Sequence, residues 1–233
     1  MQQHLPTLHG TTLLVAHGGA SEYVNSSLIE ACVVALRLGS HGLDVHGTVV
    51  GGSVRFAQPN RAGFLARIRR TGETGPTIVE FFDALPAATR VPFFVRAGDD
   101  VAKVVADLTS TGRASDMRLI VEPASGVPAH APSTSLACYV SSAIAVMPHG
   151  PERFFAAARA GGWRGVVLPD RDWTGGVVTL AHRFELETFA DGVVQEHRAV
   201  ALLRMGIDVI SSSWPDRLAS AAIEFEHTRA TGA

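Results

Sequence analysis

The chain has 233 residues, 46% of them hydrophobic and 18% charged, which suits one globular domain with a full core. A formal charge of −2 gives no electrostatic case for nucleic acid or for an anionic membrane surface. No apolar run is long enough to span a bilayer, and residues 1–10 lack the basic start and apolar core of a signal peptide, so a cytoplasmic protein is expected. Cys32 and Cys138 are far apart, match no metal or redox spacing, and read as small buried apolar residues.

Apolar strand-like runs alternate with helical ones. Leu13, Leu14 and Val15 form a continuous apolar run that ends at His17, Gly18 and Gly19. This predicts a strand buried on both faces, as in a parallel sheet, followed by a sharp glycine turn. A helix is expected from Ser27 to Leu38, then a short strand over Leu43–His46. Gly51-Gly52 marks a turn, and Ser53–Phe56 pairs back as a hairpin. Phe64–Arg70 reads as a short basic helical piece, and Pro76 opens a helix to about Leu85 with proline in its first turn. Val91–Arg96 is strand-like, Asp99–Leu108 helical, and Met117–Val121 a strand ending at Glu122-Pro123. A proline- and serine-containing loop precedes a strand over Ala137–Ile144. Pro151–Ala160 is a helix closed by Gly161-Gly162, and Arg164–Leu168 a strand with the polar exit loop Pro169–Trp173. His182–Phe189 alternates like a strand, a helix spans Val193–Met205, and Ile207–Ile210 is the last strand before a helix from Pro215.

Eight strands with intervening helices predict an α/β fold of the (β/α)₈ TIM-barrel type, with residues 1–10 as an N-terminal tail and 11–233 as a single barrel domain. A doubly wound open sheet is the competing topology. No Gly-x-Gly-x-x-Gly follows an early strand, which argues against a dinucleotide site.

Three stretches, in order, resemble the glycerophosphodiester phosphodiesterase family. Val15-Ala16-His17-Gly18-Gly19-Ala20-Ser21 is similar to its opening His-Arg-Gly-Ala motif. Leu36–Val45 is similar to its stretch ending Glu-Leu-Asp-Val. Met205–Asp216 resembles its closing Gly-Val-Asp-Gly-Ile-x-Thr-Asp-x-Pro-Asp. The resemblance implies the barrel, but most of the family's catalytic set is replaced. His17 fits the first catalytic histidine and Asp44 the metal-binding aspartate, whereas Gly18, Gly42 and Ala57-Gln58 stand at the arginine, the glutamate and the second histidine. Phe94-Val95-Arg96 stands where the family has Glu-x-Lys. A hard divalent cation such as Ca²⁺ or Mg²⁺ needs several oxygen ligands, so one surviving aspartate implies no metal and no cofactor.

If the barrel holds, His17, Asp44, Arg96, Glu122 and Glu187 end five strands on one face. His17, Asp44 and Glu187 are then the candidate catalytic residues. Arg96, Glu122, Gly18, Gly19 and Trp173 are the candidate substrate contacts, Trp173 as an apolar wall. Each also has a structural reading. Asp44 could be satisfied by His17, Glu122 could face solvent, and Glu185 and Glu187 share one strand side, inner or outer. His46, two residues after Asp44, reads as a strand-end surface residue that could also reach the mouth.

The favoured expectation is a metal-independent small-molecule enzyme of isomerase, cyclase or lyase type, using His17/Asp44 proton transfer. The alternatives are a residual phosphodiesterase with a rebuilt metal site and a non-catalytic binding or scaffold protein. The expected partner is a small-molecule substrate, with no nucleic acid and no membrane; the sequence leaves the oligomeric state open.

Overall fold

The computed structural model describes residues 5–24, 27–57, 75–86, 89–123 and 128–231; the helical piece expected at 64–70 lies outside them. Strand β1 (Leu13–His17) is buried through its centre, as its unbroken apolar run requires. It pairs in parallel with β2 (Gly42–Val50), which continues into the antiparallel hairpin strand β3 (Ser53–Ala57). The other barrel strands are β4 (Phe93–Ala97), β5 (Met117–Val121), β6 (Ala137–Ser141), β7 (Gly165–Pro169), β8 (Glu187–Asp191) and β9 (Val209–Ser212). Each pairs in parallel with the next, and β9 returns to β1, so eight parallel strands close into the expected barrel.

Helices α1 (Leu28–Arg37), α2 (Ile78–Ala84), α3 (Val101–Ser110), α4 (Gly150–Ala160), α5 (Gly175–Arg183), α6 (Glu196–Arg204) and α7 (Pro215–Thr231) connect the strands. Their starts follow from local chemistry. The Ser27 hydroxyl accepts from the Glu30 N–H at 3.1 Å, so Ser27 caps α1. Thr77 and Glu80 form a capping box on α2, which puts Pro76 before the cap and not in the first turn. The end of helix α5 and the turn after it replace residues 182–186 of the strand expected at 182–189. The helix's Gly175-Gly176 opening and β-branched Val177 and Val178 are poor helix formers, yet Thr174 caps it and Val178 and Ala181 bury it. Glu185, at φ 55° in the turn after α5, pairs with Arg159, so it does not share a strand face with Glu187.

Side chains alternate strictly along the barrel strands. Val15, Phe94, Ile120, Tyr139, Val167, Phe189 and Val209 meet in the interior, one from each of seven strands. The opposite faces pack on the helices in the larger core, where Trp163 and Trp173 are almost fully buried. Cys32 and Cys138 are buried free thiols, pushed up to about 12 and about 11 by desolvation, which fits inert packing residues.

The strand starts form the barrel floor. Tyr139 donates its hydroxyl to Glu187, whose other oxygen lies 2.7 Å from both Arg164 Nε and His9 Nε2. The segment expected as a tail is tied down here. The Leu8 N–H donates to Asp208 Oδ1 at 2.7 Å, and the Leu5 N–H to the Arg204 carbonyl at 3.1 Å. Gly165 makes the floor possible, because a Cβ there would lie 2.5 Å from the Glu187 carbonyl oxygen and 2.7 Å from the Tyr139 ring. Gly165→Ala should therefore cost about 1–3 kcal/mol in urea unfolding. Gly98→Ala, where an added Cβ meets nothing within 4 Å, should stay within about 0.5 kcal/mol.

Candidate active site

The strand ends opposite the floor carry the polar groups. Inward positions of β2 are every second residue, and the register sets His17 beside Asp44 and His46 beside Arg96. Asp44 is completely buried and Arg96 is 3% exposed. The Arg96 Nε–H donates to Asp44 at 2.8 Å, and Nη2 approaches the second Asp44 oxygen at 2.6 Å. The same guanidinium grips Asp191 with Nη2 at 2.7 Å and Nη1 at 3.1 Å. Nη1 also reaches Glu122 Oε1 at 2.9 Å. Burial alone would push the Asp44 carboxyl up; the Arg96 guanidinium and His17 outweigh it and hold Asp44 well below the usual carboxylate range. Burial likewise disfavours the Arg96 charge, and the facing carboxylates more than restore it.

His17 Nδ1 lies 2.9 Å from Asp44 Oδ2, and the Ser211 hydroxyl donates to the same oxygen at 3.3 Å. Because Asp44 is ionised, Nδ1 must carry the hydrogen, which leaves Nε2 as the lone-pair nitrogen. The His46 ring stands edge-on to His17 with centroids 5.3 Å apart, and its Nδ1 is 3.8 Å from Glu122 Oε2. Burial, then the Arg96 charge, lowers the His46 pKa, so this imidazole is neutral at neutral pH.

Four of the expected site residues, His17, Asp44, Arg96 and Glu122, gather at this mouth. Their roles differ from those expected. Arg96 has five N–H donors and all five are engaged within the cluster, so it orders the carboxylates and offers no free donor to a substrate. The Gly18 N–H donates to the Asp44 carbonyl at 2.7 Å, and Gly19 takes φ 68° where a Cβ would lie 2.5 Å from α1 backbone. Both glycines shape the turn. Glu187 faces inward as its strand parity demands, but at the floor, one strand length from His17. Trp173 is 1% exposed and donates its indole N–H to the Phe189 carbonyl at 3.0 Å, so it packs in the core between strands and helices and walls no ligand.

Asp191 and His46 complete the cluster. Period two along β8 runs Glu187, Phe189, Asp191, and only the last reaches the C-terminal end. A cavity of about 620 Å³ opens on the same side of the barrel, between Pro123, Ser142 and the α4 residues Arg153, Phe154, Ala157 and Ala158. No carboxylate is among its described lining residues, and Arg153 is their one formal charge.

A divalent cation of the kind the resembled family binds would have to draw on His17, Asp44 and Asp191 at this mouth. One ligand atom each from His17, Asp44 and Asp191 lies within 4.8 Å of the others. The oxygens of both aspartates already accept from Arg96, and a hard cation needs six or more ligands. The residues as arranged do not fit a divalent cation.

Removing one member of a buried, charged network is expensive. Asp44→Asn should lower the unfolding free energy by about 3–5 kcal/mol in urea titrations. The depressed Asp44 contributes stability that is full above its unfolded value of about 3.9 and is lost as pH falls below it. His46, facing Arg96, Glu122, His17 and Asp44, has a lowered folded pKa, so the unfolded chain binds more protons just below about pH 6.5. Melting temperature should therefore fall as pH drops through about 6.5 and again below about 4. His46→Gln should remove the first fall and keep the second.

No family model and no curated protein matches the chain. Solved structures do. A glycerophosphodiester phosphodiesterase from Agrobacterium tumefaciens is 15% identical, with 91% of this chain and 100% of that chain covered and a TM-score of 0.67. An Oleispira antarctica phosphodiesterase in complex with the product sn-glycerol-3-phosphate is 15% identical over 91% of this chain and 96% of that one, TM-score 0.68. A glycerophosphodiester phosphodiesterase from Parabacteroides distasonis is 14% identical over 94% and 98%, TM-score 0.68. At the level of fold, this chain is a TIM barrel of the type seen in the glycerophosphodiester phosphodiesterases.

Proposed function

We propose that this phosphodiesterase-like barrel works without a metal ion and performs acid–base chemistry on a small molecule, with His17 as the proton-transferring residue. The observation that carries the reading is the His17–Asp44 pair at the barrel mouth beside a second imidazole, His46. Asp44 holds the Nδ1 proton and stabilises the imidazolium that forms when Nε2 takes a proton. His46, neutral and across the mouth, is placed to handle a second proton. An isomerisation, cyclisation or elimination needs one proton removed and one delivered, and paired imidazoles supply both steps.

Charge supports a substrate whose reacting end is neutral or cationic. Three carboxylates surround one guanidinium, which leaves the mouth formally short of positive charge, with no Arg96 donor free for an anion. A phosphodiester would bring a further negative charge to that site. The 620 Å³ cavity beside Glu122 is of ligand size and could take an apolar body.

A second reading is residual hydrolysis of a glycerol phosphodiester. It is favoured by the sn-glycerol-3-phosphate bound to the Oleispira structure and by the two histidines at this mouth. Assay of glycerophosphocholine with and without Ca²⁺, Mg²⁺ and a chelator separates the two. The expected outcome is no metal-dependent turnover; robust chelator-sensitive hydrolysis would contradict the proposal. Screening small neutral and cationic compounds by NMR should yield a turnover that His17→Ala reduces by about 10²–10⁴-fold. If His17→Ala alters stability alone and no compound in the screen is converted, the barrel is a binding protein.

A further inference from the structure

Arg96 spends its five N–H groups on five carboxylate oxygens: two from Asp44, two from Asp191 and one from Glu122. Those oxygens come from β2, β8 and the exit of β5, strands that are not neighbours in the barrel, and they converge at 2.6–3.1 Å on one buried group. A surface ion pair joins one carboxylate to one cation; here three carboxylates share one. Without the guanidinium the buried Asp44 would face the part-exposed Asp191 and Glu122 with no cation between them, an arrangement that favours a counter-charge. A set of inward oxygens from separate strand ends, held by backbone hydrogen bonds, also resembles the donor set of a hard cation. Two of the carboxylates, with His17, already satisfy the distances for ion ligation, and Arg96 engages both.

We infer that Arg96 is the barrel's resident cation: its guanidinium stands in for a divalent ion, and removing it turns the Asp44–Asp191–Glu122 shell into a divalent-cation site. The charge balance fits. Losing the guanidinium leaves Asp191 and Glu122 without the cation they share and Asp44 with only His17 and Ser211, and one doubly charged ion returns more charge than was lost. The Arg96 guanidinium carbon lies over the Phe189 ring, 6.0 Å from its centroid, so truncation opens space directly above the apolar interior layer.

The inference rests on the metal-independent reading of this mouth, and thermal melts separate their failures. The variants are Arg96→Met, which keeps an apolar stem, and Arg96→Ala, which opens more space. Each is melted with the wild type in CaCl₂, MnCl₂ and a choline chloride control of equal ionic strength. The wild-type melting temperature should not move with either metal. Both variants should melt about 6–20 °C lower without metal. They should regain about 5–10 °C, saturably, once free metal is a hundredfold above its Kd. A wild type that gains stability with Ca²⁺ or Mn²⁺ overturns both the inference and the metal-independent reading. A silent wild type with equally silent variants overturns the inference alone. If neither variant is recovered folded, refolding from urea decides: recovery only with metal supports the inference, and no recovery with metal contradicts it.

Discussion

The contact between Arg96 and its three carboxylates organises the mouth of this barrel. Burying a guanidinium or a carboxylate alone is costly, and burying Arg96 with Asp44, beside the part-exposed Asp191 and Glu122, is tolerable only when the donors and acceptors match. Here the match on Arg96 is complete: five N–H groups and five oxygens. Asp44, held ionised by that contact, in turn fixes the tautomer of His17 and so decides which imidazole nitrogen can act on a ligand.

The barrel divides its polar residues between two ends, with an apolar layer between them. At the floor, Tyr139, Glu187, Arg164 and His9 hold the N-terminal segment across the strand starts. At the mouth, the imidazoles and the Arg96 cluster sit over Phe94 and Phe189, whose rings meet edge-on at 5.1 Å. The floor groups bond to one another, whereas His17 Nε2 has no hydrogen-bond partner among the described residues and His46 approaches Glu122 only at 3.8 Å. A closed, tied-down end and an end with lone pairs to spare is the arrangement expected when chemistry sits at the strand C-termini.

Much of this was legible in the sequence. The unbroken apolar run at Leu13–Val15, the strand Met117–Val121 and the Gly51-Gly52 hairpin are strong local signals, and all appear as read. Helix α5 was not legible, because Gly175-Gly176 and the β-branched residues after it argue against the helix that tertiary burial imposes. In the site, period two leaves Glu187 inner or outer and says nothing of height along the barrel. Height depends on where the strand begins, and the start of β8 at Glu187 became visible only once α5 and its turn were in place. The same count of two, which places His46 after Asp44 as a residue that could reach the mouth, would also have reached Asp191. The fate of Trp173 depended on which way a short helical turn after β7 rolled, and no periodicity records that.

The likeness to solved phosphodiesterases at 14–15% identity carries the fold and leaves the chemistry to the residues at the mouth. The central claim is that the cation this mouth requires is built into the chain. Isothermal titration of Ca²⁺ into the unmodified protein at pH 7.5 tests it most directly. The account predicts heats no larger than dilution; stoichiometric binding abolished by Asp44→Asn and Asp191→Asn would contradict it.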